Sequence, residues 1–412
     1  MNAELQPTFY KPHARVNNVC GMLVGGGAAL FLIGVFCDAT EGHKESWANW
    51  LLGSYMFMGI ALFGAFFLAL NNMTKSGWHI VYKRVFEAMT AYLPFAFAAM
   101  LILIFGMEHL YHWMHVAEGD PHKEVIDKKI GYLNQSFFII RMFAYFSIWI
   151  FFAWKLKTNS RKQDMDGNVE HTHRNVRFSA LFMVLFALTL SAASYDFVMS
   201  LDAAWFSTMF GPYHFAGMFQ AGIAATIILV WALNKMGYMR DVLNANHIHG
   251  LGLWLFALSV FWCYLWFSQM MLIWYANMPE ETQYFLLRSP ADKSDYGWSW
   301  WWVEFVITPA LRFGLPFLIL MPKPNKRNMK VLVPMAFLIL AGHWVDLWVG
   351  ILPTIGGHEG EHVPHFGLCE IGAPLFFAGV FGLVFFKALA KAPLIPTKDP
   401  YLQESLHQQK CW

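Results

Sequence analysis

Along this chain apolar residues do not alternate with polar ones. They gather into ten runs of about 20 residues, the length at which a helix crosses the hydrocarbon core of a bilayer. The runs are Val16–Cys37, Ala48–Asn71, Val85–Gly106, Leu133–Trp154, Asn175–Met199, Thr208–Ala232, Leu251–Tyr275, Trp301–Leu320, Lys330–Ile351 and Glu370–Ala388. A chain in lipid must satisfy its backbone internally, and the two-residue alternation of a membrane barrel is absent. The pattern therefore predicts an all-α polytopic membrane protein of about ten transmembrane helices. Residues 1–15 form an N-terminal segment, 16–391 the membrane domain and 392–412 a short tail. No large soluble domain is expected: Lys157–Arg174 reads as a polar loop, and Glu108–Gly131 and Asn277–Ser299 hold at most short interfacial helices. No internal repeat is visible in the sequence.

Composition agrees, with 57% hydrophobic and only 14% charged residues, far from a soluble domain. A formal charge of +2 lacks the concentrated basic face that a nucleic-acid partner needs. Charge is informative by place rather than by total. Of 29 Lys and Arg, 21 fall on the side of the N-terminus, six on the other side, and Arg141 and Arg312 inside spans. The positive-inside rule then puts both termini in the cytoplasm. Met1–Asn18 is polar and leads straight into the first run, which predicts an uncleaved anchor. The cysteines Cys20, Cys37, Cys263, Cys369 and Cys411 form no CxxC or CxxCH, so neither covalent haem nor a cysteine-ligated cluster is expected on this chain. Gly25, Gly26 and Gly27 lie within the first run and read as close helix packing.

Chemistry must then lie among the helices, where an ionised group costs about 2.5–3.5 kcal/mol and calls for a reason. In the eighth run Glu304, Thr308 and Arg312 recur every four residues, which predicts a polar stripe on one helix face. In the ninth, His343 and Asp346 are three apart; Arg141 lies in the fourth, Asp196 ends the fifth and His214 begins the sixth. One reading pairs these charges as glue between helices. The other makes Asp196, His214, Glu304, Thr308, Arg312, His343, Asp346 and Arg141 a proton path, since imidazole and carboxylate pass protons. His214 and His343 also raise a bis-histidine haem. Asp202 reads as a cap for the turn that leads into the sixth helix. His109, His112 and His115, with His358, His362 and His365, suit a docking face on the outer side better than a metal centre.

Two stretches carry a family resemblance: SYDFVMSLDAAWFSTMFGPYHFAG, Ser194 to Gly217, and FWCYLWFSQMMLIWYANMPEETQYF, Phe261 to Phe285. On ten spans with both ends inside, they resemble the ActF-type subunits, the smaller NrfD/PsrC-like membrane proteins of bacterial alternative complex III. The likeness covers the membrane domain, in these two stretches by sequence and elsewhere by hydropathy. The larger sister subunit shares the same fold. The resemblance implies two four-helix bundles, about 48–200 and 208–351, with the first and last helices outside them. It implies a place in the bacterial inner membrane, within a quinol:electron-acceptor oxidoreductase. There menaquinol or another quinol passes electrons to iron–sulfur and c-haem subunits and on to cytochrome c or a terminal oxidase. This chain would hold no redox cofactor and catalyse nothing itself, with Asp196, His343, Asp346 and the Glu304–Arg312 stripe as matching proton-path residues. A quinol-binding catalytic subunit and a free-standing secondary transporter are the alternatives.

Overall fold

The computed structural model describes residues 8–116, 118–120, 122–289, 299–355 and 366–407 of the 412-residue chain. Among these residues, ten helices long and apolar enough to span a bilayer run Ala14–Cys37, Lys44–Met73, Ile80–Leu110, Gln135–Asp166, Glu170–Leu201, Phe210–Lys235, Ala245–Ala276, Trp300–Leu320, Met329–Ile355 and Leu368–Leu389. The protein is an all-α polytopic membrane protein, and each expected run falls on one of these spans.

The second to fifth spans pack as a closed four-helix ring, and so do the sixth to ninth. The second span joins the rings, touching the sixth and ninth as well as its own neighbours. Its most apolar window is wholly buried, which explains why it has no polar face: an element enclosed on all sides is hydrophobic all round. Aromatic rings fill the seam, with Phe63 edge-on to Phe219 at 5.0 Å and Phe66 meeting Phe215 at 5.2 Å. The first and last spans pair with each other outside the rings. Glycine sets that crossing: a Cβ at Gly27 would lie 2.3 Å from the Phe376 backbone nitrogen, and one at Gly372 would lie 2.4 Å from that of Phe31. Gly25 and Gly26 face open space, so only one of the three adjacent glycines serves this contact.

One expectation on the side of the termini needs correction. The predicted loop Lys157–Arg174 is helical: the fourth span continues to Asp166 and the fifth begins at Glu170, with Gly167 at φ +71° closing the turn. Polar pairs between the two helices, Asn159 Nδ2 to Asn175 Oδ1 at 2.9 Å and Gln163 Nε2 to Thr172 Oγ1 at 2.7 Å, prolong the hairpin where apolar periodicity has ended. The short tail is held by specific bonds. Lys83 Nζ donates to Asp399 Oδ2 at 2.6 Å, the Gly77 amide to Glu404 Oε1 at 3.3 Å and the Val81 amide to the Ser405 hydroxyl at 3.4 Å. A short helix, Leu402–Leu406, is thereby strapped over the turn between the second and third spans.

Candidate functional site

Proline shapes the second ring. Pro316 has no N–H to offer the carbonyl four residues back, and Gln220 Nε2 donates to that Arg312 carbonyl instead, at 2.7 Å. Pro353 likewise leaves the Val349 carbonyl free, and Arg288 Nε donates to it at 2.9 Å while Nη2 reaches the Gly350 carbonyl at 3.0 Å. The eighth span carries two π-helical turns, Val303–Ile307 and Ala310–Gly314, flanking Pro309. Such turns are frequent where a helix presents functional side chains. Along this span Glu304, Thr308 and Arg312 are all buried; the Thr308 hydroxyl turns back to the Val303 carbonyl at 2.7 Å, while Glu304 and Arg312 serve different partners.

Arg312 is fully enclosed, and each of its nitrogens has a partner. Nε donates to Gln220 Oε1 at 2.9 Å, Nη2 to the Gly217 carbonyl at 3.1 Å, and Nη1 to Asp346 Oδ2. Its guanidinium lies over the Trp262 ring, 4.3 Å from the centroid. The other oxygen of Asp346 accepts from the Tyr213 hydroxyl. Gln220 Nε2 also reaches the Ser259 hydroxyl at 2.9 Å, so one polar network ties all four helices of the ring. Charge-assisted bonds of this kind are the strong ones, and their satisfaction is what makes a buried charge tolerable.

Beside this network His343 is 2% exposed and its Nδ1 has no hydrogen-bond partner. A Cβ at Gly217 would sit 3.4 Å from both His343 Cε1 and Arg312 Nη1, so the two side chains share the space over that glycine. His214 Nδ1 lies 3.3 Å from the Tyr55 hydroxyl of the second span, and Phe210 packs on its ring at 4.3 Å. These surroundings do not fit a haem held between His214 and His343, because the Gly217 backbone and the Arg312 guanidinium already occupy the flank of His343. Glu304 stands apart from the pair, accepting from Trp266 Nε1 at 3.0 Å.

Arg141 and Asp196 are brought together elsewhere, in the first ring. Nε and Nη2 of Arg141 grip the two carboxylate oxygens at 2.8 and 2.9 Å, Tyr145 donates to Oδ2 at 2.8 Å, and the guanidinium stacks on Tyr132. The eight candidate residues therefore divide: His214, Arg312, His343 and Asp346 share one region, Glu304 and Thr308 lie further along the eighth span, and Arg141 with Asp196 forms a separate lock. Tyr213, Gln220 and Ser259 escaped notice in the sequence. Gln220 alone had a usable signal, as an amide inside an apolar run. Asp202 does cap the turn, its Oδ1 accepting the Ala204 and Trp205 amides at 3.1 and 3.2 Å. Among the described residues no three His, Cys, Asp or Glu are grouped to hold a metal ion, and His358, His362 and His365 lie outside those residues. Set against known proteins, the chain matches no protein-family model and no curated sequence.

Proposed function

We propose that this protein is a non-catalytic integral subunit of a quinol-oxidising electron-transfer complex of the alternative complex III type, and that its second ring conducts protons. The observation that carries the proton role is the carboxylate of Asp346, held between Arg312 and Tyr213 inside the ring, with the buried imidazole of His343, its Nδ1 free, one turn away. What sets this ion pair apart from the Arg141–Asp196 lock, whose carboxylate also accepts from a phenol, is the buried imidazole beside it with a free Nδ1. The two stretches of resemblance and the two closed four-helix rings, spans two to five and six to nine, support the wider assignment.

In this reading a proton arrives from the side of Glu304 at the Tyr213 hydroxyl, which gives its own proton to Asp346 in the same concerted step, and Asp346 passes it towards His343 as Arg312 shifts its hold. The quinol, the iron–sulfur clusters and the c-haems belong to partner subunits, including the larger sister, with lipid around the spans. The membrane is then the bacterial inner membrane, with both termini cytoplasmic, as the 21-to-six distribution of basic residues supports. Purification of the tagged protein in mild detergent, with subunit mass spectrometry and a reduced-minus-oxidised spectrum, tests the assignment. Co-elution with c-haem and iron–sulfur subunits is expected; a lone colourless protein would overturn it in favour of a transporter, and a protected quinone bound to this chain would favour a catalytic subunit. Within the complex, Asp346→Asn should slow proton-coupled turnover; unchanged turnover and proton stoichiometry would remove the relay.

A further inference from the structure

On the side opposite the tail, a cavity of about 460 Å³ opens where segments of both rings converge. Its floor is apolar, with Leu110, Ile126 and Leu201 each 4% exposed, and Leu287 and Ile355 beside them. Its rim is imidazole: His109, His112, His115 and His122, together with Lys44. His109 is seated by the turn at Gly42, where an added Cβ would fall 2.1 Å from its Nδ1.

The charges around the cavity decide what it can hold. Lys44, Glu108 and Asp202 line it, and Lys129 closes the side of Asp202, donating to the Ala203 carbonyl at 2.7 Å. These two cations and two anions cancel. Asp120 is paired with His112 Nε2 at 2.9 Å, Lys123 faces Glu118 at 3.8 Å, and Arg288 is turned away onto the Val349 and Gly350 carbonyls. Among the described residues, the rest of the basin's charge therefore lies with His109, His115 and His122, because His112 is engaged by Asp120. Neutral imidazoles would suit a transition metal, yet no group of three ligands is arranged for one among the described residues. Protonated imidazoles above an apolar floor suit an anion with an apolar body. The volume is that of a small-molecule site, about 300–1,000 Å³.

We propose that this basin binds a soluble amphipathic anion, an organic phosphate or carboxylate, when its histidines are protonated. The site stands apart from the Asp346 network and does not depend on the function proposed above. Phenyl phosphate is the probe, titrated calorimetrically into the detergent-purified full chain at about pH 5.5 and about pH 8, either side of the imidazole range. Saturable one-to-one binding at the lower pH is expected, weaker by about tenfold or more at the higher, the equivalent of about 1.4 kcal/mol. Inorganic phosphate should bind more weakly because it leaves the floor uncovered. The double variant His109→Gln/His115→Gln, on two exposed side chains, should lose about tenfold at the lower pH with unchanged helical content. Absence of saturable binding, equal affinity at both pH values, or an unaffected variant would overturn the proposal. So would stoichiometric zinc binding at the higher pH, which would make the basin a metal site. Equal competition by dihexanoyl phosphatidic acid would hand it to a lipid headgroup.

Discussion

Arg312 and Arg288 are both fully buried arginines, yet they solve different problems. Arg312 neutralises a carboxylate; among the described residues Arg288 has no carboxylate in its grip and donates to carbonyls, one of them freed by a proline. Removing one partner of a buried pair strands the other charge, at a cost of about 3–5 kcal/mol. Arg312→Met should therefore lower resistance to denaturation by about that much, whereas Arg312→Met with Asp346→Leu should recover a large part of it, as followed by denaturant unfolding in mixed micelles. For Arg288 the arithmetic runs through the backbone. Pro353→Ala restores the N–H that the Val349 carbonyl lacks, so it should reduce the penalty of Arg288→Gln; additive penalties in a double-mutant cycle would show that the two do not act on the same carbonyl. None of this pairing could be read from the sequence. Isolated charges in separate spans reveal that partners must exist, but only packing selects Asp346 for Arg312 and Asp196 for Arg141. Tyr213 was invisible for another reason, since tyrosine at a membrane interface is ordinary.

At the level of elements, hydropathy located all ten spans because each consists of a long apolar run, and it failed where polar pairs continue a helix beyond the membrane, as Asn159 with Asn175 does. The π-helical turns of the eighth span were also hidden, for a four-residue spacing of Glu304, Thr308 and Arg312 looks like an ordinary helix until the prolines are weighed. The strapped tail is an element whose hold should vary with pH. Burial, with the Lys83 ammonium adding to it, pushes His79 down to about 3 from 6.5. Burial is the largest influence on Asp399 and would raise its carboxyl, but the charge and hydrogen bond of Lys83 together with the Tyr401 amide hold it below the usual carboxylate range. Both groups are depressed in the folded state, so an unstrapped chain binds more protons as pH falls. The His79 contribution is present above about 6.5 and is lost progressively on the way to about 3. The Asp399 contribution follows lower down, as pH falls through its depressed value. Protease cleavage within residues 393–407 should accelerate on going from pH of about 7.5 to about 5; an unchanged rate would dissociate the strap from His79.

Across the whole molecule the two rings repeat one device. In each, the third helix supplies an arginine and the fourth an aspartate, and a tyrosine hydroxyl donates to the same carboxylate: Arg141, Asp196 and Tyr145 in one, Arg312, Asp346 and Tyr213 in the other. No repeat was legible in the sequence, because what recurs is three side chains placed by topology within otherwise interchangeable apolar residues. The locks share no residue, so the losses of resistance from Asp196→Asn and Asp346→Asn should add within about 0.5 kcal/mol. A marked departure would mean that the rings yield as one. The enclosed second span has a further meaning for how the protein is made. It leaves the ribosome before the sixth, ninth and tenth spans, which are among its neighbours. The part of its apolar surface that faces those three can therefore be covered only by lipid until each is made, and each must displace that lipid in turn. Maturation of this membrane domain is a wrapping process, completed only when the tenth span has arrived.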